Sequence, residues 1–142
     1  MSTKWVADTR SAIFTIVRKN ILDKYIEEYP DLYFTRKENN DELETNMYPA
    51  CYFHFSYVER GNDLTNDGIN AILMMITVDI TASESQGVEV AEEIAFAILD
   101  ELKAMNFNVT MIPETITLDS NVERVIFKCE RIIGFNDVLF TS

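Results

Sequence analysis

Every second residue from Ile72 to Ile80 is hydrophobic, and hydrophobic residues then recur at helical spacing over residues 88–105. Alternation is typical of a β-strand, whose successive side chains point to opposite faces. Recurrence every three to four residues is typical of an amphipathic helix. The apolar face of the strand comprises Ile72, Met74, Ile76, Val78 and Ile80. The apolar stripe of the helix comprises Ala91, Ile94, Ala95, Ile98, Leu102 and Met105.

The other predicted elements are placed against this strand–turn–helix unit. Residues 5–29 predict a first helix that Asp8 or Thr9 caps and that ends before Pro30. Further strands are predicted at residues 32–35, 48–58, 107–112 and 125–131. Pro113 is expected to break the third of these, which residues 115–118 then resume.

This element order predicts an α+β fold. We expect a two-layer sandwich, with a mostly antiparallel sheet of four to five strands and two helices packed on one face. Hydrophobic residues make up 47% of the 142 residues, which is enough for one domain, residues 1–142, with its own core.

Three segments are expected to lie outside the packed layers: the charged loop 36–46, the hairpin tip 59–68 and an apolar C-terminal tail, 132–142, that docks on something. Exposed loops often carry binding residues, and the first two are candidate contacts to other proteins. The residues concerned are Arg36, Lys37, Glu38, Asp41, Glu42, Arg60, Asn62, Asp63 and Leu64.

Some apolar residues fall at positions that the predicted fold would expose to solvent. Leu73 and Met75 lie on the outer face of the central strand, which a sheet covered on one side only would expose. Another segment of the chain or another subunit should therefore cover them. Phe96 falls on the polar side of the helix, between Glu89, Glu92, Asp100 and Lys103. It is either a stray exposed aromatic residue or an anchor for a neighbouring subunit. With Tyr52, on the outer face of strand 48–58, these are the candidate subunit-interface residues.

Charge and cysteine usage exclude several classes of protein. A formal net charge of −12 argues against a general nucleic-acid-binding or anionic-membrane-binding surface. No apolar run approaches the roughly 20 residues that span a bilayer, and residues 1–5 lack the apolar core of a signal peptide, so a cytosolic protein is expected. Cys51 and Cys129 lie in apolar strands and are expected to be buried free thiols.

Candidate chemistry is sparse, and we expect neither an enzyme nor a cofactor or metal site. His54 is the single histidine, and its neighbours Tyr52 and Ser56 do not make a catalytic triad. The four glycines form no phosphate-binding loop. The acidic run at residues 41–44 lacks the spaced oxygen ligands of a calcium loop and is better explained as a solvated surface.

The order of these segments carries a family resemblance over residues 5–135. In chain order, the segments are a long N-terminal helix, the proline-initiated aromatic strand Tyr48-Pro49-Ala50-Cys51-Tyr52-Phe53, the hairpin into strand 71–82, the Ser/Glu/Gly turn before helix 90–99, the pair Asn106-Phe107, and a last strand over 122–131. This order resembles the phage tail terminator (tail completion) family of long-tailed viruses. Asn106 departs from it, since the family tends to have glycine there, and the C-terminal tail does not map onto it.

The resemblance implies a structural function. Such proteins form a hexameric ring on the head-proximal end of the tail tube, stop tube polymerisation and present a surface to the head–tail connector or neck protein. DNA passes through the ring without specific binding, for which a strongly negative chain is suitable. The implied partners are copies of the chain itself, the tail tube protein and the connector. The implied location is the virion, after assembly in the host cytoplasm.

Other functions stay open at this point. One is another neck protein, such as a head-closure protein, which would assemble with DNA-filled heads rather than tail tubes. Another is a cytosolic ligand-binding regulatory domain, which would need a concave apolar pocket. A third is a small enzyme that uses carboxylates of raised pKa in a cleft.

Overall fold

The computed structural model describes residues 4–36, 47–60, 71–116, 122–135 and 137. Within them, two helices and five strands follow one another as α1 Lys4–Tyr25, β1 Tyr33–Thr35, β2 Ala50–Arg60, β3 Ala71–Ser83, α2 Val88–Ala104, β4 Asn108–Ile116 and β5 Val122–Gly134. The strands form a single mixed sheet. The predicted α+β sandwich is therefore confirmed.

The sheet has the strand order β1-β2-β3-β5-β4. β1 pairs with β2 in parallel, and the other three pairings are antiparallel. β5 follows β4 in the chain but lies between β3 and β4 in the sheet. As a result β3 and β4 run parallel, with α2 connecting them and β5 inserted between them.

The hydrophobic core lies between the helices and one face of the sheet, here called the inner face. All five residues of the apolar face predicted for the central strand are buried, and so is the whole apolar stripe predicted for α2. α2 packs on β3, β5 and β4 and also contacts α1. The Phe14 ring of α1 lies edge-on to Phe53 of β2, with 5.3 Å between centroids. Both helices therefore cover the inner face, as the sequence predicts.

Polar side chains connect the two helical segments. Asn20 donates a hydrogen bond from Nδ2 to Glu101 Oε1 at 2.6 Å, and the Tyr29 hydroxyl donates to Glu93 Oε1 at 3.0 Å. The second contact lies further along the N-terminal segment but earlier along α2, so the two run antiparallel. Partial burial, together with the Glu93 carboxylate, raises the pKa of Tyr29 to about 12.

α2 ends in a Schellman motif. Asn106 adopts a left-handed backbone with φ 66°, and its N–H donates to the Lys103 carbonyl at 2.9 Å. The next N–H, of Phe107, donates to the Leu102 carbonyl at 3.1 Å. Arg131 of β5 donates from Nη1 to the Met105 carbonyl at 2.7 Å, which places a cation at the negative end of the helix dipole.

The first helix differs from its prediction at both ends. α1 begins at Lys4, so Asp8 and Thr9 lie inside the helix and neither caps it. The Thr9 hydroxyl instead donates to the Trp5 carbonyl one turn earlier, at 2.7 Å. α1 ends at Tyr25, and turns occupy residues 26–28, where the prediction had continued the helix to residue 29.

Three strands also extend beyond their predicted bounds. β4 continues through Pro113 to Ile116, with register shifts between Val109 and Met111 and between Met111 and Glu114. The proline is tolerated because β4 is an edge strand, where a missing N–H breaks no second ladder. β5 includes residues 122–124 and 132–134, which were predicted as turn and tail, and β2 includes Glu59 and Arg60 from the predicted hairpin tip.

Candidate functional site

Three apolar side chains form a row across the outer face of the sheet, which is the face opposite the helices. Val58 of β2 lies opposite Leu73 of β3, and Leu73 lies opposite Ile132 of β5. Val58 is 49% exposed, Ile132 is 59% exposed and Leu73 is half-buried. We call these three residues the apolar row. Met75 is half-buried one step along β3 from this row, between Ser56 and Glu130.

Charged side chains of both signs lie near the apolar row, and Glu130 is next to Ile132 on the outer face of β5. Arg60 is exposed two positions beyond Val58, on the same face of β2. Lys128 is exposed on the same face of β5, opposite Thr77. Neither side chain makes an ion pair with a carboxylate in the described part of the chain. Arg60 is therefore an accessible positive charge beside the apolar row, whereas Glu130 separates Lys128 from Ile132.

The other end of the outer face is polar, and its side chains are mostly buried. Asp79 of β3 and Arg124 of β5 form an ion pair whose side chains are mostly buried. Tyr52 lies opposite Asp79 and is only 8% exposed. Burial, followed by the influence of Tyr48, Tyr33 and Asp79, raises the pKa of Tyr52 to about 12. This end of the face offers little surface to a partner.

A second exposed apolar position lies on α2. Phe96 is 49% exposed, because the neighbouring Ile94, Ala95 and Ile98 turn toward the core and leave it on the opposite side. Glu92 lies one helical turn before it and Asp100 one turn after it. Neither carboxylate makes an ion pair within the residues described. We call Phe96, Glu92 and Asp100 the α2 patch.

The α2 patch and the apolar row lie on opposite sides of the domain. α2 covers the inner face of the sheet, and Phe96 points away from the buried side of that helix. The apolar row lies on the outer face, on the far side of the same sheet. The two exposed surfaces are thus separated by both packed layers.

The structure places the predicted interface residues unequally. Phe96 is exposed, Leu73 and Met75 are half-buried, and Tyr52 is buried. We therefore leave Tyr52 out of the interface proposed below. Val58 and Ile132 were not singled out in the sequence, although each contributes more exposed surface than Leu73. The sequence analysis ended the last strand at residue 131, so it left out Ile132. A strand that continues to Gly134 has Ile132 on its outer face, beside Leu73.

Of the predicted partner-contact residues, only Arg36 and Arg60 fall within the described residues. The Arg36 guanidinium lies over the Phe14 ring, 5.3 Å from its centroid, and donates to the Ser11 hydroxyl at 3.3 Å. Arg36 thus contacts α1 of its own chain. The other predicted contacts lie outside the described residues; they are Lys37, Glu38, Asp41, Glu42, Asn62, Asp63 and Leu64.

Reactive groups are either isolated or enclosed. His54 is exposed on the outer face, opposite Thr77. Cys51 and Cys129 are buried free thiols, which confirms their prediction; burial raises the pKa of both, to about 12 for Cys129. Among residues 4–36, 47–60, 71–116, 122–135 and 137, no cluster of three His, Cys, Asp or Glu side chains could hold a metal ion.

Neither described helix has the length and apolar character needed to cross a membrane. In comparisons with protein-family models and with curated protein sequences, no model and no sequence matches this chain.

Proposed function

We propose that the chain is a structural protein of a phage tail, and that it forms a ring on the head-proximal end of the tail tube. The apolar row carries this proposal. It is an exposed hydrophobic strip on a sheet face that the described helices leave uncovered, and such surface commonly marks an interaction site. A protein whose purpose is assembly needs surfaces of this kind, whereas the site offers no converging catalytic groups.

The two different exposed surfaces suit head-to-tail assembly better than a two-fold dimer, and head-to-tail assembly forms a ring where the rotation between copies closes. A ring uses a heterologous interface, in which one surface of each copy meets a different surface of the next. The apolar row and the α2 patch differ in chemistry and lie on opposite sides of the domain. With this arrangement each copy can bind the preceding copy through one surface and the next copy through the other.

The charge of the chain is compatible with a passage for DNA. At −12 per chain, a hexamer would carry a large negative charge and would repel the phosphate backbone. DNA could then pass through the ring without being retained. Together with the order of segments that resembles tail terminators, this supports a protein that stops tube growth and joins the tube to the connector.

The mass of the purified protein by light scattering, alone and with phage tail-tube subunits, tests this function. We expect a six-fold mass, either in solution or only on tubes. Tubes that polymerise with the protein present should also be shorter in electron micrographs than tubes grown without it. A protein that stays monomeric, does not bind tubes and leaves their length unchanged would overturn the proposal. Assembly on DNA-filled heads instead would favour another neck protein.

The charged loop 36–46 is proposed to contact the tube or the connector. Deletion of residues 37–44 should therefore abolish binding to tubes while the variant keeps its circular dichroism spectrum and ring mass. The matched control is replacement of the same residues by a flexible Gly/Ser segment of equal length, which should also lose binding. Full binding by both variants would remove this loop from the contact.

A further inference from the structure

We infer that the α2 patch of one copy docks on the apolar row of the next copy, with Arg60 of that row's chain facing Glu92 or Asp100. The occupant of the exposed sheet face is thus a second copy of this chain. This inference rests on the proposed ring for its biological setting, but the contact itself can be tested without tail tubes.

The two surfaces are complementary in apolar character, and Arg60 at the edge of the apolar row is opposite in charge to the carboxylates of the α2 patch, while Glu130 lies on the side of the row away from Arg60. Phe96 provides one aromatic side chain at the centre of the α2 patch, with a carboxylate on each side. The apolar row provides a strip of three aliphatic side chains, with Arg60 at its edge. Aromatic residues that insert into an apolar surface, surrounded by a polar rim, are typical anchors of protein interfaces.

The spacing of the charges fits this docking. Glu92 and Asp100 each lie about 6 Å along the helix axis from Phe96, because a helix rises about 1.5 Å per residue. Arg60 lies about 7 Å along β2 from Val58, because a strand rises about 3.4 Å per residue. With Phe96 seated on the apolar row and α2 running along β2, one of the two carboxylates comes within reach of the long Arg60 side chain.

The edges of the sheet are poor alternatives for joining copies. β4 is one edge, and it contains Pro113, which has no N–H to donate, and two register shifts that interrupt a regular ladder. β1 is the other edge within the described residues and is only three residues long. The faces of the domain, rather than its strand edges, are thus the surfaces suited to assembly.

Mixing two single-site variants tests the pairing directly. Phe96→Asp removes the anchor and keeps the apolar row; Ile132→Asp damages the row and keeps the anchor. Each variant alone should remain a monomer by native mass spectrometry, with association weakened at least thirtyfold, about the effect of losing one interface anchor. Their equimolar mixture should form a one-to-one dimer and nothing larger, because only one intact interface can form.

The matched control is Ile112→Asp on β4. Ile112 is 67% exposed and belongs to neither surface, so this variant should assemble like the unmodified protein. Because all three positions are exposed, circular dichroism should show an intact fold for each. If the protein assembles only on tubes, the same variants are compared there, and the mixture should leave tubes uncapped.

Each remaining outcome has a definite meaning. A ring that survives Phe96→Asp, dimers of Ile132→Asp alone, or a mixture that stays monomeric would each overturn this pairing. Capped tubes in the same experiment would leave the proposed function standing. Conversely, rings that depend on Phe96 and Ile132 but neither bind nor shorten tubes would uphold the pairing and overturn the tail function. A protein that stays monomeric both alone and with tubes would overturn both.

Discussion

Arg124 donates hydrogen bonds from Nε to both carboxylate oxygens of Asp79, at 2.9 Å to Oδ1 and 2.7 Å to Oδ2. Its Nη2 also contacts Oδ2, so the two groups form a charge-assisted pair. The residues are diagonal neighbours on β3 and β5, since Asp79 lies opposite Ile126. Hydrogen bonding to Asp79 raises the pKa of Arg124. The pair therefore joins two central strands at the polar end of the outer face.

Removing either partner of this pair should destabilise the fold. Asp79→Ala or Arg124→Ala should each lower the free energy of unfolding in urea by about 2 kcal/mol, since a mostly buried charge loses its partner. The double variant should lose less than the sum of the two, with a coupling energy of about 1 kcal/mol or more. Lys128→Ala, an exposed cation on β5, is the control and should change stability by under about 0.5 kcal/mol. Strictly additive losses would contradict the coupling.

The left-handed backbone of Asn106 gives opposite expectations for two small substitutions. Asn106→Gly should keep or slightly raise stability, because glycine adopts positive φ without steric cost. Asn106→Ala should lower the free energy of unfolding by about 1 kcal/mol, because alanine keeps the strained Cβ but lacks the short polar side chain that lets asparagine tolerate that angle. Thermal and urea unfolding would measure both. Equal stability of the glycine and alanine variants would show that the end of α2 is not limited by this angle.

Both native thiols should be unreactive in the folded protein. Cys51 and Cys129 are buried, and their raised pKa keeps them protonated at neutral pH. Since the thiolate is the reactive species, a thiol reagent such as Ellman's should label neither residue within minutes and should label both after denaturation. A cysteine introduced at exposed Phe96 provides the positive control. Rapid labelling of the unmodified folded protein would contradict this burial.

Alkaline pH should weaken the fold through Tyr52. Its pKa is raised to about 12 from the ordinary tyrosine value of 10.0, so between these values the folded protein holds a proton that the unfolded chain releases. The free energy of unfolding then falls as pH rises. This stabilisation is fully present below about pH 10 and is lost as pH passes about 12.

A pH series of urea unfolding would measure the proton difference. Tyr52→Phe removes this titrating group. Above about pH 10 the free energy of unfolding should therefore fall less steeply with pH, by a slope that corresponds to at most one bound proton. Tyr29, whose pKa is also raised to about 12, remains in that variant and should preserve part of the decline. An unchanged slope would mean that Tyr52 ionises alike in the folded and unfolded chains.

Periodic segments of this fold could be predicted because burial on one face constrains every second or every third to fourth residue. Ile76 and Ile94 are buried for that reason, and both were assigned correctly from spacing alone. Helix starts carry a weaker signal: Asp8 and Thr9 are good cap residues by type, yet α1 begins before them. Pro113 was read as a strand breaker because its sequence neighbours do not reveal that β4 lies at an edge.

The apolar row could be predicted only in part. Leu73 was recognised because it and Met75 make one end of the outer face of their own strand apolar. Its neighbours Val58 and Ile132 come from two other strands, and their position depends on the register of both pairings. Tyr52 shows the converse difficulty: alternation correctly places it on the outer face, but its burial cannot be read from the sequence of β2 alone.

The insertion of β5 between β3 and β4 has a consequence for how the chain folds during synthesis. β3 leaves the ribosome well before β5, so one of its two hydrogen-bonding edges has no strand to pair with while α2 and β4 are being made. β4 cannot fill that gap, since its place is on the far side of β5. An unpaired strand edge of this kind can pair with other chains, so we expect nascent chains that stall before residue 122 to aggregate more readily than the folded domain.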